Sequence, residues 1–150
     1  MGTVLRSTAV SIVLLAIPAS ATGLAPTVVV TGGQVRGSLL AKSGAVFKGI
    51  PFAQPPVADL RWRAPVPVRS WTGVRDAAAF GAPCAQNSGN GRMLEQSNED
   101  CLFLNVWTPE WPATSRKPVM FWIHGGGNYA GTASSDNSMA RPWRGAEWSS

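Results

Sequence analysis

His124-Gly125-Gly126-Gly127, directly after the apolar run Val119-Met120-Phe121-Trp122-Ile123, is the stretch of this chain best suited to chemistry. Consecutive glycines leave backbone N–H groups uncovered by side chains. Amides held in a fixed turn bind anions, and acyl transfer needs such donors where an oxyanion develops on the attacked carbonyl. The turn could equally be a tight connection with no ligand. A phosphate-cradling loop is excluded by the lack of a following Lys-Ser/Thr pair. The other half of an acyl-transfer machine is missing from the 150 residues: they contain no Gly-x-Ser-x-Gly, and His124 is the only histidine.

The elements that must position this turn read mostly as strands. Thr27 to Val30 is β-branched, Thr31-Gly32-Gly33 is a turn, and Gln34 to Leu40 is its partner in a hairpin. Ala45 to Ile50 is a further short strand. Pro51 to Pro67 is studded with prolines, which forbid a long helix and favour an extended, packed connection. Trp71 to Phe80 holds at most a short element. Gln86-Asn87-Ser88-Gly89-Asn90-Gly91 is a loop by composition, and Leu102 to Trp107 alternates as a strand does. Pro118 to Ile123 is apolar throughout, the pattern of a strand covered on both faces. Trp62, Trp71, Trp107 and Trp122 read as core, and Trp111, Trp143 and Trp148 as exposed.

Composition narrows the class. An apolar fraction of 45% and a charged fraction of 14% fit a globular or exported protein. Arg6, the apolar stretch Ser7 to Ile17, Pro18 and Ala19-Ser20-Ala21 together form a secretory signal pattern over residues 1–21, leaving residues 22–150 as the mature part and a secreted or extracytoplasmic location. That stretch is too short to span a bilayer, and no stable membrane insertion is expected elsewhere. Of the formal charge of +5, Arg6 contributes one. The remaining basic residues, such as Arg36, Lys42, Lys48, Arg61, Arg63, Arg69 and Arg75, are scattered, which argues against a nucleic-acid partner. Cys84 and Cys101 are an even pair, which in an exported chain reads as a disulfide, worth about 3 kcal/mol in the chain-entropy model. Two buried free thiols are the alternative. A zinc set is not available from two cysteines and one histidine, so no metal is expected.

Three stretches together resemble one family, the type-B carboxylesterases, which include the cholinesterases. They are Phe47-Lys48-Gly49-Ile50-Pro51-Phe52-Ala53-Gln54-Pro55-Pro56 with Leu60-Arg61-Trp62, then Glu99-Asp100-Cys101-Leu102-Phe103-Leu104-Asn105-Val106, then Trp122-Ile123-His124-Gly125-Gly126-Gly127. The resemblance runs from about Thr27 to Met139. It implies an α/β fold, the N-terminal portion of an α/β-hydrolase, built in this stretch mostly of strands and loops. It implies that Gly126 and Gly127 donate N–H groups to the oxyanion, with Gly125 and His124 supporting the loop, and that a third donor follows a nucleophile not found here. It implies that Cys84 and Cys101 form a disulfide whose loop rims the active-site entrance. It implies a buried salt bridge between Arg61 and Glu99 beneath that loop, leaving Asp100 at the surface.

The chain departs from the family pattern in three places. Phe103 stands where tyrosine is commoner, Asn128 where many relatives carry an aromatic, and residues 141–150 do not resemble the family at all. The expectation is a carboxylic ester hydrolase of serine acyl-enzyme mechanism, needing no cofactor and acting on a small-molecule ester. These 150 residues would be a truncated form that carries the oxyanion loop without nucleophile, base or acid, and would themselves be inactive. The alternatives are a non-catalytic cholinesterase-like binding or adhesion module, and a truncated product without function.

Overall fold

The computed structural model describes residues 24–134. The signal pattern at residues 1–21 and the atypical tail at 141–150 lie outside the described residues. Among the described residues, six short strands, β1 (Thr27–Val30), β2 (Gly33–Arg36), β3 (Ser38–Leu39), β4 (Ala45–Pro51), β5 (Val74–Asp76) and β6 (Phe103–Thr108), form two three-stranded sheets, with one 3-10 turn at Ala58–Leu60.

The first sheet has the order β1-β2-β5. The expected hairpin is present, with Val30 opposite Gly33, but the strand read from Gln34 to Leu40 is two strands. The chain leaves the first sheet at Gly37, whose N–H donates to Pro26 O at 2.8 Å, and enters the second sheet as β3. The reason is a close approach. A Cβ at Gly37 would stand 2.7 Å from Phe47 Cδ1, so this position is where the two sheets press together. Trp71 lies across the hairpin turn, donating its indole N–H to Gln34 O and its backbone N–H to Gly32 O.

The second sheet, β3-β4-β6, is antiparallel and carries the site. β4 and β6 pair from Ala45 opposite Thr108 to Pro51 opposite Phe103, with a register shift between Phe47 and Ile50. Ala77 links the sheets, donating to Arg36 O and accepting from Lys48 N–H, each at 2.7 Å. The core lies at that junction: Val35, Ala45, Phe47, Ile50 and Ala77 are buried, with Val28, Val30, Trp71, Leu104 and Trp111 packed around them. Trp111 stacks edge-on against Phe47 with ring centroids 5.7 Å apart, so it is partly buried and not the exposed residue expected from its polar, proline-rich surroundings. Trp62 errs the other way. It is 96% exposed, in the left-handed region at φ +61°, because it lies just past the Arg61 cap of the surface 3-10 turn.

The largest departure is Pro118 to Ile123. It forms no strand, and Val119, Phe121 and Ile123 are 91%, 79% and 76% exposed. A run that is apolar at every position is a strand only when neighbours pair both of its edges and layers cover both faces. Among the described residues nothing pairs with it.

Candidate functional site

The glycine turn is built as a closed loop from His124 to Gly131. Gly126, Gly127 and Asn128 all have positive φ, at +130°, +61° and +63°. Glycine adopts this region without cost, and asparagine is the side chain that tolerates it best. Gly126 O then accepts both the Tyr129 and Ala130 N–H groups at 3.2 Å. Any Cβ at Gly126 would run into Ala130 O. The far end folds back on the near end. A Cβ at Gly131 would meet Gly125 O and lie 2.6 Å from His124 Nδ1. His124 Nδ1 is 2.8 Å from Gly125 O, a contact that needs the proton on Nδ1. Gly125, Gly126 and Gly127 are exposed, and among the described residues the N–H groups of Gly126 and Gly127 have no acceptor.

Two side-chain amides anchor this loop to the fold. Asn105, on β6, accepts the Gly49 N–H at 2.9 Å through Oδ1 and donates through Nδ2 to Ala133 O at 3.2 Å. Gly49 sits in the register shift of β4 at φ +62°, so one side chain joins β4, β6 and the segment after the turn. Gln86 holds Gly131 from the other side, accepting its N–H at 2.7 Å and donating to its carbonyl at 2.9 Å. Composition marks Gln86 only as part of a polar loop. The one sequence signal was its place two residues after Cys84, on chain that the disulfide fixes.

Cys84 and Cys101 are bonded, with Cα atoms 4.9 Å apart. The enclosed segment is a loop, as its composition indicates, that folds back on itself as a small hairpin between Gln86 and Leu94: Ser88 N–H donates to Arg92 O and Leu94 N–H to Gln86 O, while Asn98 N–H donates to Pro83 O. β6 starts two residues after Cys101, so the disulfide ties this hairpin to the strand that carries Asn105.

Arg61 Nη2 donates to Glu99 Oε2 at 2.5 Å. The pair is not buried as expected, since its side chains are 53% and 42% exposed. Arg61 caps the surface 3-10 turn, where water reaches both partners. Its hydrogen bond to Glu99, and then the carboxylate's charge, raise the Arg61 pKa above an already high ordinary value. An exposed pair of this kind contributes little to stability. Asp100 is exposed beside it, its N–H donating to Asn98 Oδ1. Among the described residues no group of three or more His, Cys, Asp or Glu could hold a metal ion.

A family model for the carboxylesterases matches residues 24–141, the strands, the disulfide hairpin and the glycine turn together. The chain belongs to the carboxylesterase family. It is 44% identical over 146 residues to human carboxylesterase 3, covering 85% of this chain and 26% of that protein. It is 50% identical over 99 residues to the phenmedipham hydrolase of Pseudarthrobacter oxydans, covering 61% of this chain and 20% of that protein. Among solved structures it resembles a PNB esterase at 41% identity with a TM-score of 0.64, over 73% of this chain and 22% of that one. It also resembles the Geobacillus stearothermophilus carboxylesterase at 37% identity with the same TM-score, over 79% of this chain and 22% of that one. This carboxylesterase chain therefore spans about a fifth to a quarter of the length of these relatives. Its strands and loops are those of an α/β-hydrolase.

Proposed function

We propose that this carboxylesterase chain supplies the oxyanion-binding wall of a carboxylic ester hydrolase that works through a serine acyl-enzyme on small-molecule esters. The observation that carries the proposal is the pair of exposed N–H groups at Gly126 and Gly127, in a turn whose backbone only glycine can follow at Gly126. Donors fixed before the reaction stabilise the tetrahedral oxyanion without reorganising as charge develops. His124 supports the turn through Nδ1 instead of moving the proton of a nucleophile. The serine, its base and its acid lie outside these 150 residues, so the chain alone hydrolyses no ester. The N-terminal signal pattern supports export, which the Cys84–Cys101 disulfide suits.

The test replaces the matching N-terminal part of the Geobacillus stearothermophilus carboxylesterase with residues 24–134 of this chain. The graft turns over p-nitrophenyl butyrate, whereas the 150-residue chain does not. Turnover by the pure chain, or a folded graft without activity, would overturn the proposal.

A further inference from the structure

One side chain of the disulfide hairpin reaches out of it and binds the end of the glycine turn. Gln86 is half-buried, and its amide is fully used. Oε1 accepts the Gly131 N–H at 2.7 Å, and the two hydrogens of Nε2 go to Gly131 O at 2.9 Å and Cys84 O at 3.0 Å. The Gln86 backbone carbonyl accepts from Leu94 N–H, which fixes the residue within its own hairpin. A carboxamide pairing with both the N–H and the C=O of one residue copies a rung of an antiparallel ladder. The pairing therefore fixes the two peptides that flank Gly131 in orientation as well as in position.

Gly131 is the right residue to hold. It packs against Gly125 O and His124 Nδ1, which closes the turn between its two ends. Gly126 and Gly127 lie inside that closure.

We propose that Gln86 is a positioning residue for the turn: through Gly131 it sets the orientation of the Gly126 and Gly127 N–H groups, and it makes that orientation depend on the Cys84–Cys101 hairpin. What the orientation serves rests on the ester-hydrolase reading, but the coupling itself does not. Gln86 touches no reacting atom. Its effect passes through two hydrogen bonds to the backbone of one residue, Gly131, so it needs a donor and an acceptor side by side.

The requirement for a donor provides the test. Hydrogen exchange of the chain's backbone amides, corrected for intrinsic rates, is read at Gly131, at Tyr129 and Ala130 (the two donors inside the turn), and across β4 and β6 as a reference. Gln86→Ala lowers protection at Gly131, Tyr129 and Ala130 about tenfold, the effect of one net hydrogen bond, and leaves β4 and β6 unchanged. Gln86→Glu at neutral pH keeps the acceptor for the Gly131 N–H but has no proton for Gly131 O, so protection falls at Tyr129 and Ala130 and falls less at Gly131 than in Gln86→Ala. Below about pH 4, near the ordinary glutamate value, the protonated acid again offers donor and acceptor. Protection in Gln86→Glu then returns while Gln86→Ala stays low. Undiminished protection at Tyr129 and Ala130 in Gln86→Ala would overturn the proposal. So would a loss spread over β4 and β6 that acid does not reverse in Gln86→Glu, since that would make Gln86 a general structural residue. None of these readouts needs ester turnover, so a failed graft would leave them intact.

Discussion

Asn105 accepts the Gly49 N–H and donates to Ala133 O, which makes it the point where the register shift of β4, the strand β6 and the chain after the glycine turn meet. Removing it leaves the Gly49 N–H without its partner in a half-buried place, where an unmade hydrogen bond costs about 1–3 kcal/mol. Asn105→Ala should lower the unfolding free energy from urea denaturation by that amount. Asn105→Asp, which keeps the acceptor for Gly49 and loses the donor for Ala133, should lower it by less. Equal losses would place the weight of the interaction on Ala133. Neither role could be read from the sequence. Asn105 stood in a resembling stretch with no stated task, and Gln86 stood among polar loop residues, because a side-chain amide shows its partner only when distant backbone arrives beside it. The glycines were legible as a turn, since Gly126 and Gly127 take the positive φ that glycine adopts at no cost. Trp62 and Trp111 were not, because the exposure of a tryptophan in a proline-rich segment is set by where that segment docks.

Among the elements, β1, β2, β4 and β6 were legible from β-branched or alternating residues bounded by glycine, and their observed limits fall within one or two residues of the reading except where Gly37 divides a strand. That division is a packing effect, the approach of Gly37 to Phe47, which no local pattern encodes. The disulfide hairpin is the element with most leverage on the site, because it presents Gln86 and leads into β6. Replacing both Cys84 and Cys101 with serine removes a cross-link between residues 17 apart. The double variant should lose on the order of 3 kcal/mol of stability by thermal or urea unfolding. It should also lose amide protection at Gly131 before β4. A double variant of unchanged stability would mean that the hairpin's own hydrogen bonds suffice.

For the whole molecule, the core at the sheet junction is small, and the apolar run from Val119 to Ile123 remains on the surface. Exposed contiguous apolar backbone with free N–H and C=O groups is a template for pairing with another chain. The 150-residue chain should therefore self-associate at micromolar concentration in sedimentation velocity, and Phe121→Lys should shift it towards monomer. A monomeric wild-type chain would contradict this. The same run leads directly into the turn at His124. The central proposed role is that of Gly126 and Gly127 as oxyanion donors. The measurement closest to it is kcat for p-nitrophenyl butyrate in the graft bearing Gly126→Ala, where the added Cβ would displace Ala130 O and turn the amides away. The predicted result is a fall in kcat of about 10² or more with KM little changed, the size of effect seen when an oxyanion donor is lost. A folded Gly126→Ala graft with the kcat of its parent would contradict the account.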